Sequence, residues 1–158
     1  MKRVTRRYLG PVGAVIFDWT GTTVDEGGRA SVEALIEVFA RRGVEVCDEQ
    51  VRESKSSSRR EHIRELCAMP VVASAWRIEN GAEPTEADVD GMYAEATPRL
   101  LERIRAHAEP IAGVSDVVTA LHERGIAIGS TTGYNRETLE VLHAAAKANG
   151  FDPDVAVS

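Results

Sequence analysis

No apolar run in the chain approaches the length that spans a bilayer, and the basic start Lys2-Arg3-Val4-Thr5-Arg6-Arg7 is not followed by the apolar stretch of a secretory signal. A membrane partner is therefore not expected, and the N-terminal arm reads as a solvated tail. Cysteine is scarce as well. Cys47 and Cys67 have neither a second cysteine nor a histidine pair at ligand spacing, which argues against a thiolate metal site and predicts reduced side chains in a cytoplasmic protein. Positive charge is in short supply, with 19 basic against 25 acidic residues and a net charge of −6, so there is no electrostatic footprint for nucleic acid. An acidic chain that binds a phosphorus oxyanion needs a local positive site or a cation.

What remains is ordinary for a globular protein. With 158 residues, 43% hydrophobic and 28% charged, the chain suffices for one compact domain with a core, or for a small domain carrying an insertion.

The most informative stretch is Ala14-Val15-Ile16-Phe17-Asp18-Trp19-Thr20-Gly21-Thr22-Thr23-Val24-Asp25. Four apolar residues run without alternation into an aspartate and a Gly/Thr turn, the pattern of a parallel strand covered on both faces. Asp18 falls at the carboxyl end of that strand, where open α/β sheets place their ligands. A carboxylate there, followed by a glycine that frees backbone N–H groups and by threonine hydroxyls, suits attack on phosphorus with a metal between the charges. The same residue types also end ordinary strands.

Farther along, Val32, Leu35, Ile36, Phe39 and Ala40 recur at helical spacing, with Ser31 as N-cap and Gly43 as C-cap. A serine-rich exposed turn at 53–60 leads into a helix through His62, Ile63, Leu66 and Cys67, and Pro70 and Gly81 bracket the next one. Thr85-Glu86-Ala87-Asp88 is a capping-box signature ahead of Val89, Met92, Tyr93, Ala96, Leu100 and Ile104, a helix that Pro98 is expected to end or kink. Beyond Gly113, Val114, Val117, Val118 and Leu121 form an amphipathic helix. A second strand, Ile126-Ala127-Ile128-Gly129, runs into Ser130-Thr131-Thr132-Gly133-Tyr134 and then a helix, where hydroxyls and free amides make a natural phosphate cradle. Asp154 to Ser158 reads as a third strand. This order predicts a Rossmann-like α/β core of three parallel strands at 1–26 and 109–158, with a helical cap inserted at 27–108.

The run Phe17 to Asp25 resembles motif I of the haloacid dehalogenase superfamily, and its Trp-x-Gly-Thr-Thr-Val-Asp form is similar to the phosphonoacetaldehyde hydrolases, or phosphonatases. Ile128 to Tyr134 resembles their motif II, and Glu61-His62-Ile63-Arg64, Ala82 to Val89 and Ala108 to Ile111 extend the likeness over most of the chain. The resemblance implies hydrolysis of the C–P bond of phosphonoacetaldehyde to acetaldehyde and phosphate. It makes Asp18 the nucleophile and a magnesium ligand, with the Thr20 carbonyl as a second ligand. Thr22, Thr132 and Gly133 would hold the phosphoryl oxygens, Gly21 and Tyr134 would complete the substrate site, and His62 would assist proton transfer.

Three departures accompany the resemblance. Phosphonatases hold the aldehyde as an imine on a cap lysine; matched through His62, that position is Arg59, which stays protonated and forms no imine. Lys55 is one helical turn earlier and is the candidate substitute, although the plainer reading is a solvated charge in a serine-rich turn. Thr20 stands where most of the superfamily has a general acid and phosphonatases a small apolar residue. The family's motif III basic residue and motif IV acidic pair have no counterpart before Ser158. The strand of Asp18 is then expected at a sheet edge, open to a second copy or a complementing chain. The alternatives are a magnesium-dependent hydrolase of phosphate esters or acyl phosphates, and a non-catalytic truncated paralogue.

Overall fold

The structure is a computed structural model in which residues 10–25, 28–54 and 58–158 are described. Lys55 lies outside the described residues. The elements run β1 (Ala14–Asp18), α1 (Arg29–Ala40), α2 (Asp48–Glu53), α3 (Arg59–Ala68), α4 (Pro70–Asn80), α5 (Glu86–Ala106), α6 (Val114–His122), β2 (Ala127–Thr131), α7 (Arg136–Ala148) and β3 (Val155–Val157). No helix among the described residues is long and apolar enough to cross a membrane.

The three strands form a parallel sheet in the order β1-β2-β3, with Ile16 opposite Gly129 and Asp18 opposite Thr131. Both crossovers advance in the same direction, so right-handed connections put α6 and α7 on one face. That face carries Ile128 and Ser130, both buried, and packs on Val118, Leu139 and Leu142. The opposite face is bare: Ile16 is 72% exposed, Val155 60% and Val157 55%. The expectation that β1 is covered on both faces therefore fails. Its unbroken apolar run reports a strand suited to two-sided cover, whereas the described residues supply one layer of helices.

Two apolar clusters organise the interior. One lies among the helices between β1 and β2 and gathers Leu35, Phe39, Ile63, Leu66, Trp76 and Met92. The other lies under the sheet and joins Trp19, Val24, Leu100, Ile104, Ile128, Leu142 and Phe151. Helices α1 and α5 contribute to both. Val38 and Ala96 belong to the first cluster, and Ala34, Leu100 and Ile104 to the second. Their outer surfaces are tied by Arg99 to Glu37 (3.1 Å), Arg103 to Glu37 (3.2 Å) and His107 to Glu33 (3.0 Å).

One local expectation is corrected, one is narrowed, and one short helix was not anticipated. Helix α1 begins two residues before Ser31: Gly28 is its left-handed N-cap, and the buried Asp25 carboxylate accepts from the Ala30 N–H (3.1 Å). Helix α5 runs through Pro98 without ending. Both Pro98 and Ala94, whose carbonyl loses its i+4 donor, are on the exposed side, so water can satisfy that oxygen while Ala96, Leu100 and Ile104 continue the buried stripe. The short helix α2, capped by reciprocal contacts between Cys47 and Gln50, had no periodic apolar signal.

Candidate active site

Asp18 is the last residue of β1, and the turn after it is wound tightly around the main-chain oxygen of Trp19. That carbonyl accepts from the N–H groups of Thr22 (3.1 Å), Thr23 (2.8 Å) and Val24 (3.2 Å), while the Thr23 hydroxyl donates to the Asp18 carbonyl (3.0 Å). Gly21 takes φ +78°, a left-handed conformation that strains other residues, and donates to the Val24 carbonyl (2.8 Å). These bonds use the amides of Gly21, Thr22, Thr23 and Val24 within the turn, and the Asp18 carboxylate has no hydrogen bond or ion pair among the described residues.

The cleft in front of Asp18 has a volume of about 330 Å³ and is lined by Asp18, Thr20, Ser31, Ser58, Arg59, His62, Thr132, Gly133 and Tyr134. Thr132 enters from the end of β2, anchored by its N–H to the Val157 carbonyl (3.1 Å). Its hydroxyl accepts from the Tyr134 N–H (3.2 Å), which leaves the hydroxyl proton for an oxyanion. Asn135 then caps α7 through the Thr138 N–H (2.9 Å). Burial pushes the Tyr134 phenol up, against the smaller opposing pulls of the Thr20 hydroxyl and Arg59, so Tyr134 is a neutral wall.

The facing wall comes from the first turn of α3. Ser58 caps that helix by accepting from the Glu61 N–H (3.3 Å). The His62 Nε2 donates to the Val51 carbonyl (2.8 Å), which fixes that nitrogen as protonated and leaves Nδ1 free of this bond. Arg59 is half-buried, and burial lowers its guanidinium pKa; the titratable groups that oppose this are the phenols of Tyr134 and Tyr93. It remains a cation at any ordinary pH.

Most of the residues singled out from the sequence therefore share one cleft: Asp18, Thr20, Arg59, His62, Thr132, Gly133 and Tyr134. Two do not line it. Gly21 shapes the turn behind Asp18, and Thr22 lines a neighbouring recess with Phe17, Ile111 and Val117. Ser31 and Ser58 line the cleft, although the sequence points to neither as a site residue. The spacing Ser58-x-x-Glu61 was the available signal for the second, and the early start of α1 removed Ser31 from its expected capping role.

As a metal site the cleft offers part of a shell. No backbone N–H among the described residues donates to the Thr20 carbonyl, and with Asp18 it makes two hard oxygen donors. No group of three or more His, Cys, Asp or Glu suited to a metal occurs among the described residues. Two such donors fit a cation of the magnesium type, which commonly takes one or two carboxylates and fills its shell with water and substrate oxygens.

The family profile of haloacid dehalogenase-like hydrolases matches residues 12–157. The phosphonoacetaldehyde hydrolase of Nitratidesulfovibrio vulgaris is 44% identical over 153 residues, which cover 97% of this chain and 55% of that protein. The phosphonoacetaldehyde hydrolase of Bacillus cereus (strain AH187) is also 44% identical, over 93% of this chain and 56% of its own length. The chain thus spans little more than half the length of these curated relatives. Among solved structures, a phosphonoacetaldehyde hydrolase-like protein from Oleispira antarctica is similar with a TM-score of 0.80 and 32% identity, over 99% of this chain and 57% of that one. A haloacid dehalogenase family hydrolase from Deinococcus radiodurans, at 16% identity and a TM-score of 0.59, shares the fold. This chain belongs to the haloacid dehalogenase-like hydrolase family.

Proposed function

We propose that the chain carries the nucleophile half of a phosphonatase-type active site, which cleaves a bond to phosphorus in a small phosphonate or phosphate and releases inorganic phosphate. The observation that carries this reading is the single cleft in which an unpaired Asp18 carboxylate meets Thr132 and Gly133 at the strand ends and Arg59 and His62 on the facing wall. The Asp18 carboxylate attacks phosphorus, the bond from phosphorus to carbon or to an ester oxygen breaks with its electron pair leaving on the departing group, and water then hydrolyses the aspartyl phosphate. The Thr132 hydroxyl and the Gly133 N–H hold phosphoryl oxygens, and His62 supports proton transfer. Asp18 and the Thr20 carbonyl would hold magnesium, which supplies charge neutralisation between nucleophile and substrate. The helices of 27–108 act as the cap over this site.

The substrate suggested by the relatives' names is phosphonoacetaldehyde. Arg59 favours the second reading, a phosphate-ester or acyl-phosphate hydrolase, because neither substrate requires an imine. The open side of β1 and the bare face beside it would receive a complementing chain or a second copy. A cytoplasmic setting suits the two free cysteines, of which Cys67 is buried, its thiol pushed up to about 11 by that burial.

The test is phosphate release with magnesium present, from phosphonoacetaldehyde and from acetyl phosphate, by this chain and by Asp18→Asn. Turnover of either substrate that disappears in the variant supports the reading. Phosphate release equal in both proteins would sink it.

A further inference from the structure

We infer that the cleft recognises a carboxylate at the end of the substrate remote from phosphorus, through Arg59, so that its ligands are small phosphono- or phospho-carboxylates rather than aldehydes. This rests on the reading of Asp18, Thr132 and Gly133 as the phosphoryl end.

The first observation is a contrast within one helix. Arg60 is paired with Asp90 (2.6 Å) and Glu86 (2.7 Å), and Arg64 with Glu86 (2.8 Å) and Glu61. Arg59, beside them in α3, makes no hydrogen bond or ion pair among the described residues, although it is half-buried in a cleft. Carboxylates are plentiful on this surface, yet among the described residues none is supplied to the guanidinium that faces the site. A partly desolvated cation without a counter-ion is costly, and an anionic ligand removes that cost.

The second observation is position. Arg59 enters from α3, whereas Asp18, Thr132 and Gly133 stand at the ends of β1 and β2. A ligand whose phosphoryl group sits at the strand ends presents its other end to the α3 wall. Charge fixes the direction, since Asp18 repels a carboxylate and Arg59 attracts one. The titratable groups set against Arg59 are the side chains of Tyr134 and Tyr93, neither of which is a carboxylate. The chemistry of the side chain decides the ligand class: the planar guanidinium fork matches a carboxylate through two parallel hydrogen bonds and cannot condense with a carbonyl carbon.

The experiment is calorimetric titration of the chain, with magnesium present, using phosphonoacetate and ethylphosphonate, which share a phosphonate and differ at the remote end. The proposal expects phosphonoacetate to bind at least about tenfold tighter, as for a lost charge-assisted hydrogen bond. It expects Arg59→Met to bring phosphonoacetate down to the level of ethylphosphonate, and Arg59→Lys to keep only part of the preference. Thermal melting of each variant shows that it is folded. Equal binding of the two ligands by the unaltered chain overturns the proposal alone. Arg59→Met weakening both ligands alike also overturns it, because Arg59 then serves the phosphoryl group. Binding of neither ligand overturns the phosphoryl reading of the site and this proposal with it.

Discussion

The His62 Nε2 donates to the main-chain oxygen of Val51 at 2.8 Å, so the imidazole that faces the cleft is also the clasp between α2 and α3. Replacing it should therefore be felt twice. His62→Ala is expected to lower kcat for phosphate release by about a hundredfold, in the range of lost general acid–base catalysis. It should also lower stability by about 1 kcal/mol through the unpaired Val51 carbonyl. Steady-state kinetics and urea unfolding read the two separately; lost stability at unchanged kcat would reduce His62 to a structural residue.

The bare sheet face predicts an inversion of the usual cost of polar substitution. Ile16 and Ile128 are apolar strand residues on opposite faces, one 72% and the other 1% exposed. Ile128→Ala should cost about 2–5 kcal/mol, whereas Ile16→Lys should change unfolding little and reduce association on a sizing column. A comparable loss of stability from Ile16→Lys would mean that this face is covered.

The cluster on α3 and α5 sets an acid-side prediction. The Glu86 carboxyl is held down from its ordinary 4.5 to about 2, chiefly by its hydrogen bonds with Arg64 and Arg60. A depressed carboxyl contributes stability that is present above the unfolded value and lost as pH falls through the folded one. The difference in melting temperature between this chain and Glu86→Gln should thus be present at about pH 6, shrink between about pH 4.5 and about 2, and vanish below. Because these side chains are exposed, added salt should diminish it at every pH. A difference independent of both pH and salt would contradict the ion-pair account.

Asp25 gives the opposite sign. Its carboxyl is raised above the ordinary 3.8, mainly by burial, even though the Ala30 and Arg29 N–H groups pull it back. A raised group favours the folded state below the unfolded value and loses that contribution as pH rises through the folded one. Asp25→Asn retains an oxygen to cap α1, so its stability relative to the unaltered chain should improve as pH rises above that ordinary 3.8. Melting curves across the acid range check this, and a relative stability that falls instead would mean the charge itself is needed.

Much of the fold and of the candidate cleft was legible because the residues concerned are set by local chemistry. Asp18 ends an apolar run, Thr132 and Gly133 precede a helix, and Thr85 and Asp88 form the reciprocal cap that their spacing announces. What was not legible depends on long-range placement. Thr22 belongs to the same turn as Asp18, but the amides folded onto the Trp19 carbonyl swing it into the next recess. Pro98 does not break α5, because its exposed face lets solvent replace the missing donor. The apolar pattern of β1 states what the strand could bury and carries no information on how many layers are present to bury it.

A nucleophilic Asp18 becomes covalently phosphorylated during turnover, and that species can be trapped. The direct measurement is to quench the chain during turnover of acetyl phosphate or phosphonoacetaldehyde with magnesium, reduce with borohydride and sequence the peptide around β1 by mass spectrometry. The account predicts substrate-dependent conversion of position 18 to homoserine, the reduction product of an aspartyl phosphate. Phosphate release with an unmodified Asp18 throughout would contradict it.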